Sequence, residues 1–144
     1  MEKKVFILWL LTISFWGVSP IFEKVALRSV EPFTALFIRT GICFAIMAFT
    51  FPFLVPDGFS TLTGLSLKEY TFLALSGIVG GFLGMLTYFA LLRIKSASKI
   101  VPLTATYPLV ATFLGILFLK ESLTLEKILG AILVTSGIVL LFKS

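Results

Sequence analysis

Long apolar runs separated by short polar segments dominate the chain. Five runs have the length of about 17–25 residues that a helix needs to cross the hydrocarbon core of a bilayer. Because the runs are continuous, without apolar–polar alternation, they predict helices and not the strands of a membrane barrel. The spans are approximately Val5–Phe22, Phe33–Val55, Thr71–Leu92, Ile100–Leu119 and Leu125–Phe142. The chain is therefore predicted to be an all-α integral membrane protein, one domain over residues 1–144 folded as a bundle of five transmembrane helices.

Short motifs mark the ends of the predicted spans. Glu31-Pro32 places a proline in the first turn of the second span, where its missing N–H costs nothing. Pro56-Asp57-Gly58 predicts a turn after that span. Ser66 and Glu69 have the spacing of a capping box ahead of the third span.

Composition and charge support a membrane protein and exclude nucleic acid as a partner. Hydrophobic residues make up 58% of the chain and charged residues 13%, with a mean hydropathy of +1.11. Soluble domains have about 45–50% apolar and about 25% charged residues. The net charge of +5 comes from twelve Lys and Arg residues. All of these residues except Arg39 stand at or near the ends of apolar runs as helix anchors, and they form no basic stripe.

The chain lacks the groups that most enzymes and metal sites use. It contains no histidine, and Cys43 is its only cysteine, which excludes an internal disulfide, His/Cys metal sites and Ser-His or Cys-His nucleophiles. We therefore predict no catalytic residue, no metal and no cofactor. No Asp or Glu lies deep in a span, so the buried carboxylate of a proton-coupled cation exporter is also missing.

Basic residues are balanced between the two sides of the membrane. Five predicted spans place the termini on opposite sides. The N-terminal side carries five basic residues, Lys3, Lys4, Lys68, Lys120 and Lys127. The other side carries six, Lys24, Arg28, Arg93, Lys95, Lys99 and Lys143. The positive-inside rule then gives no clear orientation, and two interpretations stay open: a weak bias resolved by the first helix, or insertion of copies in both orientations.

Polar and aromatic residues share one face of the first span. Trp9, Thr12, Trp16, Ser19 and Glu23 follow one another at spacings of three and four residues. This face is predicted either to line a cavity or to pack inside the bundle with an interfacial Trp belt.

Small residues recur at helical spacing in the third and fifth spans. Gly77, Gly80, Gly81 and Gly84 form two overlapping G-x-x-x-G pairs, a pattern that allows close helix packing in lipid. Gly130 and Gly137 share a face of the fifth span with the same implication.

The fourth span contains two prolines, Pro102 and Pro108, on either side of Thr104 and Tyr107. Proline frees a backbone carbonyl and bends a helix. The segment is predicted either to border a transport pathway, as broken helices do in transporters, or to form a static kink that Thr hydroxyls accommodate.

Arg39 is the one charged residue that lies well inside a predicted span, about two turns into the second, whereas Glu126 and Lys127 lie in the first turn of the fifth. An intramembrane arginine is costly and marks a functional site by default. Glu23, at the same side of the membrane, is its expected partner. A structural Arg39–Glu23 pair, an anion-attracting Arg39 and an arginine that extends to the nearby headgroups remain alternatives.

Taken in order along the chain, these features resemble the EamA domain of the drug/metabolite transporter superfamily. The matching residues are Trp16-Gly17 and Lys24, Arg39, the glycine-rich third span ending in Tyr88-Phe89-Ala90-Leu91, Pro102, Tyr107-Pro108, Lys120-Glu121-Ser122-Leu123-Thr124, Gly130 and Gly137. Most relatives carry two five-helix halves of opposite orientation in one chain and move metabolites or drugs by alternating access. The resemblance therefore implies a single half that pairs with an inverted copy of itself or with a second half-transporter. Small multidrug-resistance proteins, which are four-helix relatives, carry a glutamate where this chain has Trp16, so their antiport mechanism is not implied.

We therefore expect a multi-pass protein of the cell (inner) membrane that transports a small organic solute as an antiparallel homodimer. Arg39 favours anionic or zwitterionic cargo, and Glu121 is expected in a gate or ion pair. The residues expected to bind the solute are Trp9, Thr12, Trp16, Arg39, Tyr88, Thr104 and Tyr107. The alternative is a non-transporting subunit that packs against another membrane protein.

Overall fold

The computed structural model describes residues 3–122 and 124–143, and within them it contains helices and turns but no strand. The helices are α1 (Lys3–Ala26), α2 (Pro32–Leu54), α3 (Gly58–Gly64), α4 (Leu67–Ser76), a π-helix (Gly77–Gly84), α5 (Met85–Ile94), α6 (Ala97–Thr104), α7 (Tyr107–Leu119) and α8 (Leu125–Lys143). The prediction of an all-α membrane protein is confirmed.

Four helical stretches in the described part of the chain are long and apolar enough to cross a membrane. They are Lys3–Ala26, Pro32–Leu54, Leu67–Ile94 and Ala97–Leu119. These stretches correspond to the first four predicted spans, and their ends agree with the predicted ends to within four residues. The fifth predicted span corresponds to α8, a helix of 19 residues.

The sequence motifs at the helix ends adopt the expected local structure. Pro32 lies in the first turn of α2, and a turn at residues 56–57 follows α2. Ser66 caps α4 in a capping box: its hydroxyl accepts the backbone N–H of Glu69, and the Glu69 carboxylate accepts the N–H of Ser66 at 2.7 Å. The short helix α3 was not predicted.

The third and fourth spans differ from regular α-helices. The glycine-rich part of the third span is a π-helix of eight residues, flanked without a break by α4 and α5. The fourth span is interrupted at residues 105–106, between the end of α6 at Thr104 and the start of α7 at Tyr107. Pro108 therefore lies in the first turn of α7, where a proline breaks no hydrogen bond, whereas Pro102 lies inside α6.

Internal contacts divide the chain into two compact units, one of which comprises Ile21–Ile94. In this unit α2 packs against α5 and, at its other end, against the short α3. Its core consists of Leu27, Leu36, Phe89 and Leu92, each at most 3% exposed.

The other unit joins the chain up to Pro20 with the chain from Lys95 onward. Here α6 packs against α8, and Ile100 of α6 is buried. The chain leaves α7 through Lys120, which has the left-handed backbone conformation (φ 55°). The N–H of Glu121 then donates to the carbonyl of Gly115 at 3.3 Å, a bond typical of a helix terminus of this kind.

Candidate functional site

Arg39 and Glu23 form an ion pair in the Ile21–Ile94 unit. The closest approach joins Arg39 Nε to Glu23 Oε1 at 3.5 Å. Arg39 lies seven residues after Pro32, or about 10 Å along α2, because each helical residue adds about 1.5 Å. The Glu23 side chain is 10% exposed and the Arg39 side chain 42% exposed. The expected partners therefore meet, with the carboxylate enclosed and the guanidinium side chain accessible.

Tyr88 of α5 belongs to the same unit as this pair. Its side chain is half-buried and lies within electrostatic range of both Glu23 and Arg39. The packing of α5 against α2 accounts for this position, since the neighbouring Phe89 is 1% exposed. Of the seven expected solute-binding residues, Arg39 and Tyr88 are thus brought together in this unit.

Lys24 connects the end of α1 to the end of α5. Its ammonium group donates hydrogen bonds to the backbone carbonyls of Leu92 at 2.5 Å and Arg93 at 3.3 Å. Carbonyls in the last turn of a helix lack intrahelical partners, and a cation there also interacts favourably with the helix dipole. This clamp fixes the residue next to Glu23 and so helps to hold the carboxylate beside Arg39.

An apolar cavity of about 360 Å³ lies between another face of α2 and the π-helix. Phe33 and Phe82 meet across it edge to face, with ring centroids 6.4 Å apart. Helical spacing brings its α2 residues onto one face. The lining residues are Phe33, Leu36, Phe37, Thr40, Gly41, Phe44 and Phe82. The cavity has the size of small-molecule pockets but few polar groups to orient a ligand.

The glycines of the π-helix are open toward their surroundings, with one exception. A methyl group added at Gly77, Gly80 or Gly81 would meet no atom within 4 Å in the described part of the chain. At Gly84 it would lie 3.2 Å from the carbonyl oxygen of Val79, five residues earlier in the same helix. The first three therefore make no close helix contact here, and their expected packing role remains a prediction.

In the other unit, the expected residues of α1 lie along one face of a continuous helix. Trp9 is 50% exposed and Trp16 66% exposed, and Thr12 is exposed between them. The Thr12 hydroxyl donates to the carbonyl of Leu8 at 2.8 Å, as threonines in membrane helices commonly do. The face thus presents two aromatic rings on a regular helical backbone.

The break in the fourth span carries Thr104 and Tyr107. The Thr104 hydroxyl donates to the carbonyls of Ile100 and Val101, both at 3.0 Å, and the Thr106 hydroxyl donates to Leu103 at 2.7 Å. The Tyr107 side chain is 58% exposed. Hydroxyl groups therefore satisfy backbone carbonyls around the break, and an accessible tyrosine follows it.

Glu121 pairs with Lys127 at 3.3 Å, and Lys127 also donates to the carbonyl of Ser122 at 3.0 Å. The ion pair connects the end of α7 to the first turn of α8. Gly130 and Gly137 of α8 have no described atom within 4 Å of an added methyl group. Leu123, part of the motif that follows the fourth span, lies outside the described residues.

Two features of the site were not predicted. The Lys24 clamp joins groups 68 residues apart, and a backbone carbonyl carries no sequence signal of its own. The cavity does have a signal, because Phe33, Phe37 and Phe44 recur at helical spacing along α2.

Comparisons with known proteins agree with this architecture. The model of the EamA-like transporter family matches residues 3–143. An uncharacterized protein of Methanocaldococcus jannaschii is 33% identical, covering 94% of this chain and 93% of its own. A Sinorhizobium protein named as an uncharacterized transporter in the cobO 3′ region is 32% identical, covering 92% of both chains. An uncharacterized transporter of Archaeoglobus fulgidus is 29% identical over 90% of this chain but only 45% of its own. No solved structure matches the chain.

Proposed function

Because the chain belongs to the EamA-like transporter family, we propose that it moves a small organic solute across the cell membrane by alternating access, as an antiparallel homodimer. The observation that carries the proposal is the accessible Arg39 inside a membrane span, paired with Glu23 and within electrostatic range of Tyr88. A charged side chain at this depth is costly to insert into the membrane, and such residues commonly mark functional sites. Recognition of a polar solute is a function that would need this charge.

The residues proposed to bind the solute are charged and aromatic groups in the Ile21–Ile94 unit, and aromatic and hydroxyl-bearing groups in the other unit. Arg39 attracts the polar group of the solute and Tyr88 orients it by hydrogen bonding. The Trp and Tyr rings contact its apolar part, and the interruption between α6 and α7 gives the fourth span a point of flexure. The residues assigned to binding are Trp9, Thr12, Trp16, Arg39, Tyr88, Thr104 and Tyr107.

The dimer is supported by the relatives and by charge. The Archaeoglobus fulgidus transporter is about twice as long as the region it shares with this chain, as expected if it contains two such regions. The other two relatives have about the length of this chain. Five basic residues on one predicted side against six on the other permit insertion in both orientations. Two oppositely inserted copies would recreate the inverted repeat that alternating access uses.

Glycines of the π-helix that have no close neighbour within the described part of the chain supply a surface for this pairing. Gly77, Gly80 and Gly81 have no neighbour within 4 Å among the described residues. In lipid, small residues let two helix backbones approach closely and gain dispersion contacts. We assign the π-helix to the contact between the two copies.

The test is transport by the purified chain in liposomes, supplied with a labelled mixture of amino acids, other carboxylates and amines. Wild type is expected to accumulate at least one solute. Arg39→Leu is expected to lose this accumulation while remaining folded by circular dichroism. Arg28→Leu, the same change at an exposed residue near the same end of the unit, is the matched control and should transport normally.

Normal transport by Arg39→Leu would overturn the assignment of the site. Liposomes that move nothing, together with a second membrane protein that co-purifies with the chain, would instead favour the alternative of a non-transporting subunit.

A further inference from the structure

The closest distance in the Arg39–Glu23 ion pair is longer than the distances in a tightly hydrogen-bonded arginine–carboxylate pair. Guanidinium and carboxylate groups that bind each other tightly form two parallel hydrogen bonds of about 2.7–2.9 Å. Here the closest approach is 3.5 Å and involves Nε. The Arg39 guanidinium makes no hydrogen bond to any other residue that the structure describes. The terminal nitrogens of Arg39 are therefore available for a second carboxylate.

The two members of the pair differ in accessibility. Glu23 is 10% exposed, whereas Arg39 is 42% exposed. A cationic solute would have to reach the enclosed carboxylate past the arginine that neutralises it. An anionic solute meets the accessible member of the pair directly. The asymmetry thus selects the sign of the charge that the site accepts.

We propose that the solute carries a carboxylate and that this group replaces the Glu23 carboxylate at Arg39. The inference deepens the proposed function and rests on it. In the empty protein Glu23 neutralises Arg39, and in the loaded protein the solute does so. The arginine is never left unpaired inside the membrane, where an uncompensated charge is strongly unfavourable. Tyr88 donates a hydrogen bond to the incoming carboxylate.

Exchange is possible because Glu23 is placed at the end of its helix. It is the fourth residue from the end of α1, and the Lys24 clamp holds the adjacent backbone against α5. The displaced carboxylate therefore needs no rearrangement of α1.

The test observes Arg39 directly. The chain contains three arginines, Arg28, Arg39 and Arg93, so the Nε–H signals of ¹⁵N-arginine-labelled protein in micelles can be assigned by single substitutions. Benzoate is the probe, with benzamide and benzylamine as neutral and cationic controls of similar shape. Benzoate is expected to shift the Arg39 signal in a saturable manner, and the two controls are not.

Glu23→Gln removes the internal competitor while preserving shape. We expect half-saturation at about fivefold lower benzoate concentration, the factor that corresponds to loss of a modest ion pair. Glu23→Asp, whose shorter side chain keeps the charge but loosens the pair, should give an intermediate shift and serves if the Gln variant does not fold. Equal half-saturation in wild type and Glu23→Gln, or an Arg39 signal that benzoate leaves unmoved, would overturn the proposal.

Liposome transport separates this inference from the proposed function. If the chain moves an amine or a neutral solute while benzoate leaves Arg39 unaffected, carboxylate exchange is wrong and transport stands. If benzoate binds at Arg39 with the expected effect of Glu23→Gln but no solute is moved, carboxylate recognition stands and transport is wrong.

Discussion

Replacing Lys24 with Met should loosen the end of α1 from α5. The substitution removes a hydrogen bond of 2.5 Å to the Leu92 carbonyl and a longer one of 3.3 Å to the Arg93 carbonyl. Hydrogen bonds to charged groups contribute about 1.5–3 kcal/mol each when well formed, and a cation at a helix C-terminus adds about 0.3–1 kcal/mol. These are net values, which already include the rotamer entropy that the lysine loses, and the longer bond contributes less than the shorter one. The free energy of unfolding should therefore fall by about 2 kcal/mol.

The assay is denaturant titration of the purified chain in micelles, followed by circular dichroism. Lys99→Met is the matched control, because it removes the same charge from an exposed residue on the same predicted side and should stay within about 0.5 kcal/mol of wild type. A Lys24→Met variant that unfolds at the same denaturant concentration as Lys99→Met would show that the clamp contributes nothing to stability.

The backbone conformation predicts the stability of three further variants. Lys120→Gly should raise the free energy of unfolding by about 0.5–1 kcal/mol in the same titration, because Lys120 adopts the left-handed conformation that glycine tolerates best. Lys120→Ala is the control: it also loses the charge but keeps Cβ, and it should not raise the free energy of unfolding. Gly80→Ala should stabilise the separate chain by up to about 1 kcal/mol through helix propensity, yet weaken the dimer in cross-linking assays. Gly84→Ala should destabilise the chain, since its methyl group would press on the Val79 carbonyl at 3.2 Å; equal stability of the Gly80 and Gly84 variants would contradict this reasoning.

Local chemistry made several helix ends predictable. The capping box of Ser66 and Glu69, the proline at the start of α2 and the turn at residues 56–57 depend on residues that are adjacent or nearly so. Apolar run length identified the first four spans, because the bilayer sets the length of a membrane helix.

Features that depend on distant or backbone groups were not predictable to the same degree. The glycine cluster indicated close packing but not a π-helix, which is rare and uses i→i+5 in place of i→i+4 bonds. The Lys24 clamp needs the end of α5 to be brought back to α1. The Arg39–Glu23 pair was predictable, because an intramembrane charge needs a partner and Glu23 lies at the same predicted end of the bundle.

In the proposed transporter, two copies of this chain are inserted in opposite orientations and pair with each other. The most direct test uses two separate fusion proteins. One carries at its C-terminus a reporter that is active only in the cytoplasm, and the other carries a reporter that is active only outside it. Insertion of copies in both orientations should give strong signals from both fusions. A signal from only one of them would mean a fixed orientation, would contradict pairing with an inverted copy, and would direct the search to a second, oppositely oriented half-transporter.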